Sequence, residues 1–356
     1  MMLQEATEAL TWTLPHAVAG TMVLSLNAYV LLGGADFGGG VWDLFARGRQ
    51  QDDQRALVAN AIGPIWEANH VWLILVVVLL FTCFPRAFAH LATALHVPIT
   101  LMLVGIVLRG SAFTFRTYDS KRDAVQRRWG RIFSIASFAT PVLLGLCLGA
   151  VASGRVPFGA ATASMTFTER FIAPWLYSPF AWAVGVQALV LFAFLAAVYL
   201  TVEAPEGPLR TLFRRRALQS QAAMTVVALI VLLLARRDAP FLFRGLTSGS
   251  VALVMHAVTA FLAISVVVTL LRGHYRLAQI AAAGQASFIV WGWAWSQFPY
   301  LLPPDRTITE LATGRVMLSL TIWALGIGTA ILLPSFVYLF WVFKRGEKAF
   351  EATGEG

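Results

Sequence analysis

Nine runs of about twenty apolar residues recur along the chain, at about 17–35, 66–84, 90–108, 132–152, 180–202, 217–235, 251–271, 278–298 and 316–343. A bilayer core of ~30 Å takes about 20 helical residues to cross, so each run has the length of one membrane span. In lipid every backbone N–H and C=O must pair within the chain, which leaves helices as the form of such spans. Composition agrees: 58% of the 356 residues are hydrophobic and 13% charged, and the mean hydropathy is +0.71. No water-soluble packing hides that much apolar side chain. The expected fold is therefore all-α, an integral membrane protein of about nine transmembrane helices.

The formal charge of +9 and a pI near 10.1 would suggest nucleic acid in a soluble protein. Here the arginines sit in short gaps between apolar runs, where basic residues orient helices by collecting on the cytoplasmic side. With the N-terminus outside, the cytoplasmic segments hold nineteen of the 27 Lys and Arg, seven of them between Arg109 and Arg131. The expected topology is N-terminus outside and C-terminus in the cytoplasm. The first sixteen residues contain Glu5 and Glu8 but no Lys or Arg, so insertion is expected to begin with the first span rather than a cleaved signal peptide. Cys83 and Cys147 both fall inside apolar runs without a partner at metal-ligand spacing, which reads as packing thiols.

Spans one to four and five to eight run in the same order and orientation. After span one come Asp36, a glycine-rich turn, Leu44-Phe45 and Arg47; after span five come Glu203, Glu206-Gly207, Leu212-Phe213 and Arg214. This permits two four-helix bundles, residues 1–152 and 153–298, with a peripheral ninth helix and tail in 299–356. Tryptophans cluster where spans meet water, with Trp66 and Trp129 on the inner side and Trp175, Trp182, Trp291, Trp293 and Trp295 toward the outer. Gly145 and Gly149 form a GxxxG in span four, a spacing that lets another helix approach closely.

Two segments carry acids at the inner membrane face. In Gly33-Gly34-Ala35-Asp36-Phe37-Gly38-Gly39-Gly40, five glycines surround one carboxylate. That suits a helix that either loosens or approaches a neighbour closely, leaving Asp36 facing protein or trapped water, and such intramembrane acids line proton and ion paths. The plainer reading is a membrane-exit loop with Asp36 solvated. In Asn60-Ala-Ile-Gly-Pro-Ile-Trp-Glu-Ala-Asn-His-Val-Trp72, Pro64 suits a first helical turn, which puts Glu67 near the depth of Asp36. The two acids could pass a proton inward, or Glu67 could simply complement its helix dipole. The six histidines show no haem-ligand spacing: His90 and His96 lie about 240° apart around a helix, and His16, His70, His256 and His274 stand singly. Arg214-Arg215-Arg216 reads as an orientation signal that also suits anionic headgroups. No nucleophile motif, phosphate loop or metal-ligand cluster appears, so redox chemistry by this chain alone is not expected.

Taken in order, Gly-Ala-Asp36-Phe-Gly-Gly-Gly, Ile-Gly-Pro-Ile-Trp66-Glu67-Ala-Asn69-His-Val-Trp72, Leu-Arg109-Gly-Ser-Ala-Phe113-Thr-Phe-Arg116 and Gln297-Phe-Pro299-Tyr-Leu-Leu-Pro-Pro304 resemble cytochrome bd quinol oxidase subunit II. The resemblance covers nearly the whole chain. It implies a subunit of a quinol:oxygen oxidoreductase in a bacterial cytoplasmic membrane, paired with a related subunit I that carries haem b and haem d and oxidises quinol. It also implies membrane lipids and quinone as partners, leaves room for a small single-span subunit, and places Asp36 and Glu67 on a proton route from the cytoplasm. Trp66, Asn69, Arg109, Arg116 and Gln297 are motif positions to which it gives no role. The chain departs from the family pattern at Glu67, where some members have Asp, at Gly33, where some have a second acid, and at Thr114, where many have Glu. Two other classes fit the residues: a secondary transporter with an ion site at a glycine-broken helix, and a purely structural assembly subunit.

Overall fold

A computed structural model describes residues 14–62, 66–118, 123–157, 162 and 164–353. The first unit of chain holds α1 (Leu14–Leu44), α2 (Gln51–Ile62), α3 (Trp66–Cys83), α4 (Pro85–Ala94), α5 (His96–Tyr118) and α6 (Asp123–Ala152). Then follow two single-turn helices, α7 (Phe167–Phe171) and α8 (Ala173–Leu176), and the long α9 (Pro179–Glu203) and α10 (Pro208–Asp238). The remainder is α11 (Pro240–Thr247), α12 (Gly249–Leu271), α13 (Tyr275–Gln297), β1 (Tyr300–Leu302), β2 (Arg306–Thr307), α14 (Ile308–Leu311) and α15 (Arg315–Thr353).

Each apolar run of the sequence is helical. Among the described residues seven helices are long and apolar enough to cross a membrane, namely α1, α5, α6, α9, α10, α12 and the first half of α15. Asn69–Cys83 and Pro85–Ala94 together meet the same test but are bent by 118°. The bend has a local cause: Pro85 lacks an N–H for the preceding turn and sits instead at the first position of α4. The third run, expected from residue 90, consequently divides, and its spanning helix starts at His96. α13 has the length of a span, 23 residues.

The all-α expectation is corrected at one place. Residues 300–307 fold back as a two-stranded antiparallel ladder that pairs Tyr300 with Thr307 and Leu302 with Arg306. The reversal falls on Pro303-Pro304, and prolines cannot continue a helix.

α6 and α9 form the centre, each with 61% of its spanning stretch buried inside the chain, against 11% for α12 and 6% for α15. Small residues bring them together. A Cβ on Gly145 would lie 2.6 Å from the Val184 carbonyl oxygen and one on Gly149 2.7 Å from Ala181 Cα, so the GxxxG of span four is used as a helix contact. Around this axis Tyr29, Phe37, Leu144, Phe192, Phe194 and Leu195 pack as the main apolar core. At the end where α2 lies, Val58, Ile62, Ala112, Phe133, Leu200 and Phe213 form a second core. At the opposite end Val18, Cys83, Phe84, Leu302 and Leu311 close the molecule.

Candidate functional site

The glycine segment of α1 is neither an exit loop nor a loosened turn. α1 continues without a break through Gly40 to Leu44, and of the two possibilities the glycines serve close approach. A Cβ at Gly33 would sit 3.1 Å from Asn69 Nδ2 on α3, one at Gly38 would overlap the Phe192 carbonyl of α9, and one at Gly40 would overlap Ser137 of α6. Trp42 adds a hydrogen bond from Nε1 to the Ala193 carbonyl, 2.7 Å. The broken helix on which a transporter-type ion site would depend is therefore absent from α1.

These contacts bury Asp36 completely, with no solvent exposure. Its partner is Arg109 of α5, equally buried, whose Nη2 donates to Asp36 Oδ1. The same nitrogen lies 3.4 Å from the Asp36 carbonyl oxygen. Asn69, also fully buried, donates from Nδ2 to Asp36 Oδ2 at 3.4 Å. The guanidinium is covered by two rings, Phe37 at 4.7 Å and Phe133 at 5.1 Å from its centre. Phe37 in turn contacts His70 edge-on at 6.2 Å and Phe192 face-on at 6.1 Å. Arg109 Nε and Nη1 and Asn69 Oδ1 have no hydrogen-bond partner among the described residues.

Two of the expected site residues thus come together with Asp36, namely Asn69 and Arg109. Arg109 does not act as a loop charge, because α5 runs on to Tyr118. Trp66 and Glu67 open α3, and their side chains, like that of Arg116, lie outside the described residues. Gln297 is buried at the end of α13, and its neighbour Phe298 packs on His16 at 5.5 Å, twenty residues of α1 away from Asp36 and hence about 30 Å.

Sequence reasoning missed Asp43, which is buried one helix face-repeat beyond Asp36. Its Oδ2 lies 2.7 Å from Ser134 Oγ, and its Oδ1 3.8 Å from Arg55 Nε of α2. It also missed Arg216, which is more than an orientation signal. Its Nη2 donates to Gln54 Oε1 at 2.9 Å and to the Phe45 carbonyl at 3.2 Å, tying α10 to α2. The signal for Asp43 was its helical spacing from a recognised acid: it is seven residues, two turns, after Asp36.

The sequence matches the family described as Cytochrome bd terminal oxidase subunit II over residues 14–343. The chain belongs to that family. It is 24% identical over 331 residues, 90% of this chain and 92% of the other, to the putative cytochrome bd menaquinol oxidase subunit II of Bacillus subtilis. It is 31% identical over 205 residues, 57% of this chain and 52% of the other, to cytochrome bd-I ubiquinol oxidase subunit 2 of Escherichia coli K12. Its fold superposes on a chain of the bd oxidase from Geobacillus thermodenitrificans with a TM-score of 0.77 and 25% identity, covering 93% of this chain and 99% of that one. As a cytochrome bd subunit II it is a multi-span helical membrane protein of a haem-containing quinol:oxygen oxidoreductase, and a subunit I is its implied partner.

Proposed function

We propose that this subunit supplies protons to the oxidase from the cytoplasm by way of Asp36 and Glu67, while subunit I carries haem b and haem d and oxidises quinol. The observation that carries the reading is the complete burial of Asp36 with Arg109 inside a membrane span. A buried ion pair adds little net stability over well-packed apolar side chains, and ionisable groups inside spans mark proton and ion paths. A guanidinium does not give up its proton in proteins, so the mobile proton of the pair belongs to Asp36. Arg109 sits beside that carboxylate as its counter-charge.

In this reading two of the described histidines serve packing contacts. The His96 ring is boxed by Phe167 and Phe171, and the His70 ring abuts Phe37.

The same reading takes the subunit as nine spans, two four-helix bundles over 1–152 and 153–298 and a peripheral helix in 299–356, with its N-terminus outside. Lipid and quinone would meet its outer faces, and a small single-span subunit would have room there.

The test is oxygen consumption per mole of assembled haem d in Asp36→Asn, Glu67→Gln and the double variant of the intact complex. Turnover per haem is expected to fall, and because it is counted per assembled haem d it reads separately from any loss of assembly caused by leaving Arg109 without its counter-charge. Unchanged turnover per haem in all three would overturn the proposal, as would a loss that only follows the amount of assembled complex.

A further inference from the structure

We propose that Asp43, together with the hydroxyls of Ser134 and Ser137, forms the stretch of proton route between the charged end of α1 and Asp36. The inference rests on the reading of Asp36 as a proton carrier.

Asp36 and Asp43 are seven residues apart on one continuous helix, so they share a face and lie roughly 10 Å apart along its axis. Asp36 has no solvent exposure and Asp43 2%. α6 lays hydroxyls along the gap between them. Ser134, 2% exposed, has Oγ 2.7 Å from Asp43 Oδ2 and 2.9 Å from the Gly130 carbonyl oxygen. Having a single proton, it donates to one of these acceptors at a time and can switch between them. One turn along, Ser137 is fully buried and packs directly against Gly40, the α1 residue midway between the two acids. Its Oγ has no partner among the described residues, although a hydroxyl both donates and accepts. One further turn brings Thr140 against Gly105 of α5, four residues before Arg109 and on the same helix face. There the unpartnered Arg109 Nε and Nη1 and Asn69 Oδ1 surround the Asp36 end of the gap.

The arrangement resembles no apolar packing surface. Ser134 and Ser137 face α1, which carries no side chain at Gly40 where Ser137 meets it, while Thr140 meets α5, and the Ser137 hydroxyl is left with hydrogen-bonding capacity to spare. At the outer end, Asp43 is reached from the half-buried Arg55 of the amphipathic α2. A proton taken up by the Asp43 carboxylate passes along the hydroxyls, with water molecules closing the gaps that exceed one hydrogen bond, and arrives on the Asp36 carboxylate. One proton moves, no covalent bond to carbon changes, and Asp43 returns to its ionised form for the next. The competing role for Asp43 is a plain anchor for Arg55.

The intact oxidase complex with Asp36→Asn, Asp43→Asn, Asp43→Glu or Ser137→Ala separates these roles. Haem d content, oxygen consumption per haem d and the ratio of rates in H2O and D2O are measured for each. Asp43→Asn and Ser137→Ala are expected to slow turnover per haem by about tenfold, less than the full loss of a positioned proton-transfer group because water takes part of its place. Both should raise the isotope ratio, and Asp43→Glu should restore turnover. If Asp36→Asn slows turnover while Asp43→Asn and Ser137→Ala do not, the relay through Asp43 is overturned and the role of Asp36 stands. If Asp43→Asn lowers only the amount of complex, with turnover per haem and isotope ratio unchanged, Asp43 is an anchor and the inference fails. If Asp36→Asn leaves turnover unchanged, the wider reading fails first. Ser137→Ala touches no ion pair, so it decides the matter even where Asp43→Asn does not assemble.

Discussion

Arg109 places a guanidinium with no solvent exposure against an equally buried carboxylate, and its three donors are unequally used: Nη2 bonds Asp36 while Nε and Nη1 have no partner among the described residues. The faces of the group are covered by Phe37 and Phe133, which a planar, weakly hydrated cation tolerates far better than an ammonium does. Arg109→Met should therefore destabilise the assembled subunit by about 3–5 kcal/mol, because it leaves Asp36 buried and uncompensated. Asp36→Asn combined with Arg109→Met should recover most of that loss, which thermal melting of the purified complex in a double-mutant cycle would measure. Additive losses would mean that the two residues do not form the pair described. Asp36 was legible as a candidate from its glycine surroundings, since an acid in an apolar segment stands out. Arg109 was counted among loop arginines, because the apolar run ends at Leu108 and topology rules weigh every arginine near a span end alike. The clue lay in Gly110-Ser111-Ala112-Phe113 after it, four small or apolar residues that extend the helix and bury its face. Asp43 stayed hidden for the converse reason: next to Leu44-Phe45 and Arg47 it read as part of a loop.

At the scale of elements, the glycines of α1 let four neighbours close in on one helix, meeting Asn69, Phe192, Ile62 and Ser137. A run of glycines states only that side chains are absent. Whether the helix yields or its neighbours close in depends on what those neighbours bring, and here α9 brings a backbone carbonyl. Gly38→Ala should be the costliest of the alanine substitutions, by about 1–3 kcal/mol, since a backbone atom cannot rotate away as a side chain can. Gly292→Ala, with open space around its Cα, should be neutral or slightly stabilising, as expected of an added helix former. The yield of assembled complex and its melting temperature would check both, and equal effects at the two positions would contradict the close approach of α1 to α9. The seven helices of spanning length and hydropathy were legible from apolar length. The bend at Phe84 was written in Pro85, and the division of the third run followed from it. The small ladder at 300–307 is too short for the periodicity of a strand to show.

For the whole molecule, the distribution of basic residues predicts which ends face the cytoplasm. In a background with Cys83 and Cys147 replaced by alanine, a cysteine introduced at Ser120 should react with a membrane-impermeant maleimide only in inverted vesicles, and one at Thr309 only in intact cells; the reverse pattern would contradict the orientation. The interior of the subunit is gathered on α6 and α9, whereas α12 and α15 lend it little, so the outer helices depend on what surrounds them more than on the chain itself. The central pairing of Asp36 with Arg109 also has a bearing on biosynthesis. The two residues are separated by 73 positions, which ribosomes traverse in roughly 4–15 s at bacterial or slower elongation rates. During that interval α1 holds a lone carboxylate, a group that costs up to about 3 kcal/mol at the centre of a membrane helix. The first helix must therefore wait beside the insertion machinery, or ride at the membrane edge, until the fifth helix emerges with its counter-charge.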